Sequence, residues 1–119
     1  SRHTFHIDIS QDHHIPQDLF DSAVNNLLDN AQKKKQVSEI VVQIIANADM
    51  VNVTVCDNGA KITEETEKDL FIKPVSSGEG MGIGLYQSAI MARTLAYELE
   101  LTSNQDGKVC FSLYQHFGE

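Results

Sequence analysis

The sequence predicts an α+β domain in which helices cover one face of a mostly antiparallel β-sheet. Its 119 residues are 41% hydrophobic and 22% charged, proportions typical of one globular domain rather than a disordered segment. Apolar periodicities follow the order strand, helix, strand, strand, short helix, loop, helix, strand, strand, which favours helices on one face of a sheet. No repeat, low-complexity tract or linker divides the sequence, so residues 1–119 are predicted to form a single domain.

The first predicted elements are an edge strand and a long helix. Residues 4–9 alternate weakly between apolar and polar side chains, as expected of an edge strand. Pro16 suits the first position of a helix, where its missing N–H costs nothing. Residues 17–35 carry one apolar stripe at helical spacing, formed by Phe20, Val24, Leu27, Leu28 and Ala31.

Two hairpins supply the remaining strands. Residues 38–46 are rich in Ile and Val and predict a buried strand, whereas residues 51–55 alternate as a half-buried strand does. Residues 47–49 suit the tight turn between these two strands. The second hairpin has predicted strands at residues 97–103 and 108–115, which a turn at residues 104–107 joins.

Turn and helix patterns occupy the segment between the hairpins. Residues 57–59 predict a turn, and Thr63 can cap a short acidic helix that runs to about Leu70. Residues 72–80 show no periodicity and predict a mobile loop. A helical pattern resumes over residues 84–96.

Charge and apolar patterning restrict the partners of the domain. The net charge of −8 argues against general nucleic-acid binding, because phosphate affinity comes mainly from Lys and Arg. Any phosphate site needs local compensation, for which the run Lys33-Lys34-Lys35 is a candidate. No apolar run is long enough to span a bilayer, and no secretory signal is recognisable. We therefore expect a cytoplasmic domain that does not contact the membrane. This expectation is compatible with a parent protein that is membrane-anchored.

Cysteine and histidine patterns do not predict a metal site. Cys56 and Cys110 both fall in apolar strand patterns and are interpreted as small, buried, reduced core residues, since no sequence feature supports a disulfide. His13 and His14 precede Pro16 and are interpreted as a solvated loop pair, because metal ligands would need further partners nearby.

One polar stripe runs along the predicted long helix. Asn26, Asn30 and Lys33 are spaced four and three residues apart and therefore lie on one face, beside the apolar stripe. The plain interpretation is a pair of solvated or capping asparagines. The functional interpretation is that an amide oxygen helps to hold Mg²⁺, which takes few protein ligands, while the lysine faces phosphate.

Two glycine-containing motifs follow. Asp57 at a strand end can accept a hydrogen bond from the amino group of adenine, and Gly59 lets the backbone approach a flat base, although Asp-Asn-Gly is also a common turn. Residues 78–84 contain four alternating glycines just before a helix, which favours a phosphate cradle over a flexible linker. Neither G-x-G-x-x-G nor G-x-x-x-x-G-K-[ST] occurs.

Together, these motifs resemble the ATP-binding catalytic domain of sensor histidine kinases. Residues 26–33 (NLLDNAQK) resemble the N box, and Asp57-Asn58-Gly59 resembles the first glycine box. Leu70-Phe71 followed by Pro74 resembles the F box, and Gly80-x-Gly82-x-Gly84-Leu85 resembles the second glycine box. Their order matches over nearly the whole chain. The wider family includes gyrase, mismatch-repair and chaperone ATPases and shares the Bergerat fold, so the resemblance implies a two-layer α/β sandwich that binds Mg²⁺-ATP under a mobile lid.

The resemblance also implies roles for individual residues. Asn30 would coordinate Mg²⁺, Asn26 would support the metal or the phosphates, and Lys33 would contact phosphate. Asp57 would bind adenine, and Gly59 would give the base room. The lid hinge and triphosphate site would be shaped by Gly80, Gly82 and Gly84, with Phe71 and Leu85 in the matched boxes. Two positions depart from the family pattern. Lys61 replaces a second glycine and would either stiffen the loop or carry its own phosphate contact, and Val75-Ser76-Ser77 replaces Thr-Thr-Lys in the lid.

The expected reaction is phosphotransfer to a histidine outside this chain. Hydrolysing members of the wider family resemble each other in carrying Glu four residues before the magnesium Asn, where this chain has Asn26, an amide that cannot act as a base. Asp29 points about 100° away from Asn30 on a helix. None of the five His has the expected acceptor context, so no residue of this chain is assigned as catalytic. The expected partner is a helical-hairpin phosphoacceptor domain of the same full-length kinase, and a response regulator would be an indirect partner. A regulatory nucleotide-binding or docking module without phosphotransfer, and an ATP-driven clamp, remain as alternatives.

Overall fold

The computed structural model describes residues 2–73 and 83–117, which form a two-layer α+β sandwich. The sheet has the strand order β1-β2-β3-β5-β4, with β1 parallel to β2 and every other neighbouring pair antiparallel. The predicted fold and element order are confirmed. The elements are β1 (Arg2–Ile9), α1 (Gln17–Lys33), β2 (Glu39–Ala46), β3 (Met50–Asp57), α2 (Glu64–Asp69), α3 (Ile83–Thr94), β4 (Glu98–Gln105) and β5 (Lys108–His116).

Helix α1 lies across the covered face of the sheet and supplies much of the core. Its apolar positions recur every three to four residues, so one side of the helix is buried. Pro16 is the N-cap rather than the first helical residue, because its backbone is extended while its carbonyl already accepts a hydrogen bond from Phe20 N. The helix ends at Lys33, earlier than predicted, and Lys34 has an extended backbone. The buried residues of α1 are Leu19, Phe20, Ala23, Leu27 and Ala31.

Strands β2 and β3 form the predicted hairpin. Asn47 accepts hydrogen bonds through Oδ1 from the backbone N–H groups of Asp49 and Met50, which fixes the tight turn. The prediction of a buried strand for β2 was only half right: alternate residues are buried, because helices cover one face of the sheet and leave the other open. In the second hairpin the strands extend further than predicted, and Gln105 pairs with Lys108 across a two-residue turn.

The other helices lie on the same face as α1. Thr63 caps α2 as predicted, because its side chain accepts a hydrogen bond from Thr66 N at 3.3 Å. Helix α3 packs against α1 and β4, and Leu85, Ala89 and Ala92 are buried there. Of the predicted mobile loop at residues 72–80, residues 74–80 lie outside the described part of the chain.

Cys56 and Cys110 form a disulfide, so the interpretation of two reduced cysteines was wrong for this structure. The two residues lie directly opposite each other in the β3–β5 ladder, with Cα atoms 4.1 Å apart. That separation is short enough for a bridge, and only the register of two strands distant in sequence creates it. The disulfide joins neighbouring central strands on the open face of the sheet, next to Asp57.

His13 is not the solvated loop residue that was predicted. Its Nε2 lies 2.6 Å from the Asn47 carbonyl oxygen, and its ring stacks on Phe117 with centroids 4.6 Å apart. These contacts attach the β1–α1 connection to the β2–β3 turn and to the residue that follows β5. His14 is exposed, as expected.

Candidate functional site

A small cavity lies where the C-terminal part of α1 meets the end of β3. We call it the α1–β3 cavity. Its volume is about 10 Å³, and the polar stripe of α1 and the motif at the end of β3 both contribute side chains to it. It is lined by Leu27, Asn30, Ala31, Lys34, Val55, Asp57, Ile62 and Phe111.

Asp57 is the buried acid of this cavity. It is the last residue of β3, on the helix-covered face of the sheet, and only 7% of its surface is exposed. Its Oδ1 accepts a hydrogen bond from Gly59 N at 2.9 Å. Lys34 Nζ lies 3.0 Å from Oδ1 and 3.3 Å from Oδ2. The carboxylate is therefore a fixed hydrogen-bond acceptor inside a largely apolar wall.

The turn after Asp57 is tied to both neighbouring segments. Asn58 accepts hydrogen bonds from the backbone N–H groups of Ser38 and Glu39, while Gly107 N donates to the Gly59 carbonyl oxygen. A Cβ on Gly59 would lie 2.8 Å from Val37 Cγ2, closer than side-chain carbon atoms approach. Glycine is required at this position because of Val37, whereas the role of Gly59 in giving a base room stays a prediction.

The predicted polar stripe of α1 divides into three different environments. Asn30 is half-buried and lines the α1–β3 cavity. Asn26 turns towards α3, where its Nδ2 donates to the Gly84 carbonyl oxygen at 3.1 Å and to Ser88 Oγ at 2.8 Å. Lys33 is exposed and does not line the cavity. The structure therefore places only Asn30 of this stripe beside Asp57.

Gly84 lets α3 pack closely against α1. A Cβ at this position would lie 2.9 Å from Asn26 Oδ1 and 3.1 Å from its Cγ. Because the Asn26 amide is held by two hydrogen bonds, it has little freedom to move away. Leu85, the next residue, is buried in the core with 2% of its surface exposed.

Among the described residues, Lys61 and Phe71 were also predicted site residues, and neither lines the α1–β3 cavity. Lys61 is exposed, and its backbone N–H donates to Asp106 at the β4–β5 turn. Phe71 packs edge to face on Phe111, which lines the cavity, and has a positive φ of 67°. Gly80 and Gly82 lie outside the described residues, as do Pro74 and the lid residues 75–77.

Lys34 belongs to the site, although the sequence predicted it only as part of the basic run that would compensate phosphate charge. The structure pairs it with Asp57 instead. The spacing of Leu27, Ala31 and Lys34, four and three residues apart, places all three on one face of the predicted helix. That face is the buried one, whereas Lys33 and Lys35 on either side are exposed.

These groups suit a flat heterocycle with an exocyclic amino group and, beside it, a hard cation. A buried carboxylate would accept a hydrogen bond from that amino group, and apolar side chains such as Leu27, Val55 and Ile62 would contact the ring. The Asn30 amide oxygen suits Mg²⁺, which binds oxygen and keeps several waters. Among the described residues, no cluster of three or more His, Cys, Asp or Glu could hold a metal by itself. Three larger depressions, of about 330, 280 and 380 Å³, include neither Asn30 nor Lys34, although Asp57 also borders the first and Gly59 the second.

Comparisons with known proteins identify similar sequences and folds. A family model described as "Histidine kinase-, DNA gyrase B-, and HSP90-like ATPase" matches residues 16–119. No curated protein sequence matches the chain significantly. Among solved structures, the catalytic domain of histidine kinase ThkA has a TM-score of 0.72 at 17% identity, covering 96% of this chain and 80% of that chain.

Two longer proteins are also similar, the first of them a histidine kinase. AdeS from Acinetobacter baumannii has a TM-score of 0.75 at 19% identity, and the alignment covers 99% of this chain and 56% of AdeS. Full-length ShkA in complex with AMPPNP has a TM-score of 0.80 at 13% identity, covering 96% of this chain and 25% of ShkA. The fold is thus that of histidine kinase catalytic domains, and the chain spans about half of AdeS and a quarter of ShkA. No helix among the described residues is long and apolar enough to cross a membrane.

Proposed function

Because the chain belongs to the histidine kinase-, DNA gyrase B- and HSP90-like ATPase family, we propose that it binds Mg²⁺-ATP and passes the γ-phosphoryl group to a histidine on a separate domain. That domain is the helical-hairpin phosphoacceptor of the same full-length kinase, from which a response regulator would take the phosphoryl group. The reaction belongs in the cytoplasm, where ATP is available. The observation that carries this proposal is the buried Asp57 carboxylate, held by Gly59 N in the same cavity as Asn30.

The proposed base contact follows from the geometry of Asp57. An ionised carboxylate accepts hydrogen bonds and cannot donate them, so it favours the amino group of adenine over a carbonyl oxygen at the same place. Gly59 keeps the adjacent backbone free of a side chain. The apolar cavity walls would bury the faces of the ring. This burial would add affinity but would not fix the orientation of the base, which the Asp57 contact sets.

The proposed magnesium contact involves Asn30. Bound Mg²⁺ would neutralise charge on the β- and γ-phosphates. Asn30 would contribute one neutral oxygen, and Lys33, which is exposed at the end of α1, would contact phosphate from outside the cavity. The proposal also places Lys61 near the phosphates, and it assigns Gly80, Gly82 and Gly84 to the lid hinge and the triphosphate site.

The proposed transfer needs no base from this chain. A neutral imidazole nitrogen on the acceptor attacks the γ-phosphorus, the bond from phosphorus to the β,γ-bridging oxygen breaks, and ADP leaves while the ring releases its proton. Asn26 argues against efficient hydrolysis, because an amide cannot accept a proton from water and its Nδ2 is engaged with α3. Asp29 is exposed on α1. The contribution of this domain is therefore positioning and charge neutralisation.

We expect calorimetric titration to show ATP binding that depends on Mg²⁺ through Asn30. Chelating the metal should weaken binding to the unaltered chain by about tenfold or more, as the loss of one ionic contact implies. Asn30→Ala should largely remove this difference between the two conditions. Asn25→Ala is the matched control, since Asn25 is exposed on the same helix. Equal magnesium dependence in all three proteins would contradict the assignment of Asn30, and no ATP binding at all would favour a docking module.

Phosphotransfer is tested with radiolabelled ATP. Label should appear on the helical-hairpin domain of the same kinase as an acid-labile, alkali-stable phosphohistidine, because the acceptor is absent from this chain. The chain alone should stay unlabelled and should release inorganic phosphate only slowly. Rapid hydrolysis together with nucleotide-dependent dimerisation would instead indicate a clamp of the gyrase or mismatch-repair type.

A further inference from the structure

We infer that Lys34 determines nucleotide affinity by occupying the base position of the α1–β3 cavity, so that adenine binds only after displacing the lysine from Asp57. This inference rests on the proposed function, because it requires that a nucleotide base uses Asp57. It concerns a residue whose neighbours in sequence, Lys33 and Lys35, are both exposed.

Lys34 engages both oxygens of the Asp57 carboxylate. Its Nζ lies 3.0 Å from Oδ1 and 3.3 Å from Oδ2, and Oδ1 also accepts the Gly59 N–H. An exocyclic amino group that approaches Asp57 needs one of these oxygens as its acceptor. The ammonium group, as a charged donor, forms a stronger hydrogen bond than a neutral amino group can. Lys34 is therefore an effective intramolecular competitor for the base.

The stem of Lys34 also fills the space beside Gly59. A Cβ built on Gly59 would lie 3.4 Å from Lys34 Cε, so the methylene chain passes at contact distance over the residue that is expected to give the base room. The cavity volume of about 10 Å³ is barely enough for one water molecule and is far below what a purine needs. Lys34 is one of its walls.

Lys34 can leave the cavity without unfolding the helix. It is the C-cap residue of α1 and already has an extended backbone, with φ −70° and ψ 142°. Its side chain is 15% exposed, whereas that of Asp57 is 5% exposed, so the lysine is the partner with a route to solvent. Rotation of the lysine side chain would open the carboxylate while leaving the Gly59 N–H bond in place.

The test compares ATP and adenosine binding by the unaltered chain, Lys34→Met and Lys35→Met. We expect Lys34→Met to bind both ligands about tenfold more tightly, the change that corresponds to one charged hydrogen bond no longer being broken. Lys35→Met removes the same charge from the adjacent exposed position and should bind no more tightly than the unaltered chain. Adenosine separates competition at the base from attraction of phosphates, because it carries no charge.

A second measurement uses the unaltered chain and does not depend on the folding of a variant. Acetylation of lysine amines is followed by mass spectrometry with and without saturating adenosine. Lys34 should be protected in the free chain and several-fold more reactive with adenosine bound, while Lys35 should not change.

The outcomes separate this inference from the proposed function. Tighter binding by Lys34→Met, with exposure of Lys34 by adenosine, would support the inference. If the unaltered chain binds ATP but Lys34→Met binds equally or more weakly, or if adenosine leaves Lys34 protected, the ion pair is only structural and the inference fails alone. If neither protein binds ATP or adenosine, the proposed function fails and the inference falls with it.

Discussion

Asp57→Asn is expected to lower ATP affinity by about tenfold to hundredfold, the range for losing a hydrogen bond to a charged acceptor. The substitution preserves shape but converts one carboxylate oxygen into an NH₂ group, which cannot accept the adenine amino proton. The remaining amide oxygen is adjacent to Gly59 N, so the side chain cannot serve the backbone and the base equally well. Isothermal calorimetry with Mg²⁺-ATP measures the change.

The matched control for this substitution is Asp29→Asn. Asp29 is an exposed carboxylate on α1, so its substitution makes the same change in net charge without altering the α1–β3 cavity. Its ATP affinity should stay within about twofold of the unaltered chain, since surface substitutions change stability and binding little. Equal losses in the two variants would mean that overall charge, rather than the Asp57 contact, controls binding.

Asp57→Asn also leaves Lys34 without its anion, which complicates interpretation of the single variant. A buried ammonium group that loses its partner is destabilising, so the thermal midpoint of Asp57→Asn should fall. The double variant Lys34→Met, Asp57→Asn removes that unpaired charge. If the double variant regains stability but not ATP affinity, the lost affinity belongs to the Asp57 contact and not to a general loss of structure.

Most of the fold could be predicted from the sequence, because the hydrophobic periodicities that define helices and strands are local. The apolar stripe of α1, the alternation at residues 51–55 and the cap at Thr63 are each set by neighbouring residues, and the structure has all three elements. The strand-end motif at Asp57 and Gly59 was likewise recognisable, since a short run of residues defines it. Helix ends were less accurate, because α1 stops where Lys34 turns towards Asp57.

Contacts between distant segments could not be predicted in the same way. The Cys56–Cys110 disulfide depends on the register of β3 against β5, residues 54 positions apart. The hydrogen bonds from Asn26 to α3 depend on how closely Gly84 lets two helices approach. Spacing placed Asn26 and Asn30 on one stripe, but only the packing of α3 shows that they face different surroundings.

Leu27→Ala is expected to destabilise the domain by about 2–5 kcal/mol, the range for removing a buried leucine side chain. Leu27 is 2% exposed and lies on the buried face of α1. Since small domains are stable by only about 5–15 kcal/mol, this single change threatens folding. Chemical unfolding followed by circular dichroism measures the free energy, and the thermal midpoint should fall by roughly 8–20 °C.

Leu95→Ala is the control with the same chemical change. Leu95 follows α3 and is 42% exposed, so truncating it should cost well under half of the Leu27 effect. Comparable losses at the two positions would show that Leu27 does not occupy the core position that the structure assigns to it. An unchanged dependence on denaturant concentration in both variants would confirm that the comparison concerns the same folded and unfolded states.

One wall of the α1–β3 cavity is also part of the hydrophobic core, which links these two predictions. Leu27 lines this cavity together with Asp57, so its truncation enlarges the cavity as well as weakening the helix packing. A ligand that binds only the folded state adds about 2.7 kcal/mol of stability at a hundredfold excess over its dissociation constant. Saturating Mg²⁺-ATP should therefore raise the thermal midpoint of Leu27→Ala, as it should that of the unaltered chain. The same ATP concentration should raise the midpoint of Asp57→Asn far less, because that variant keeps the core and loses the base contact.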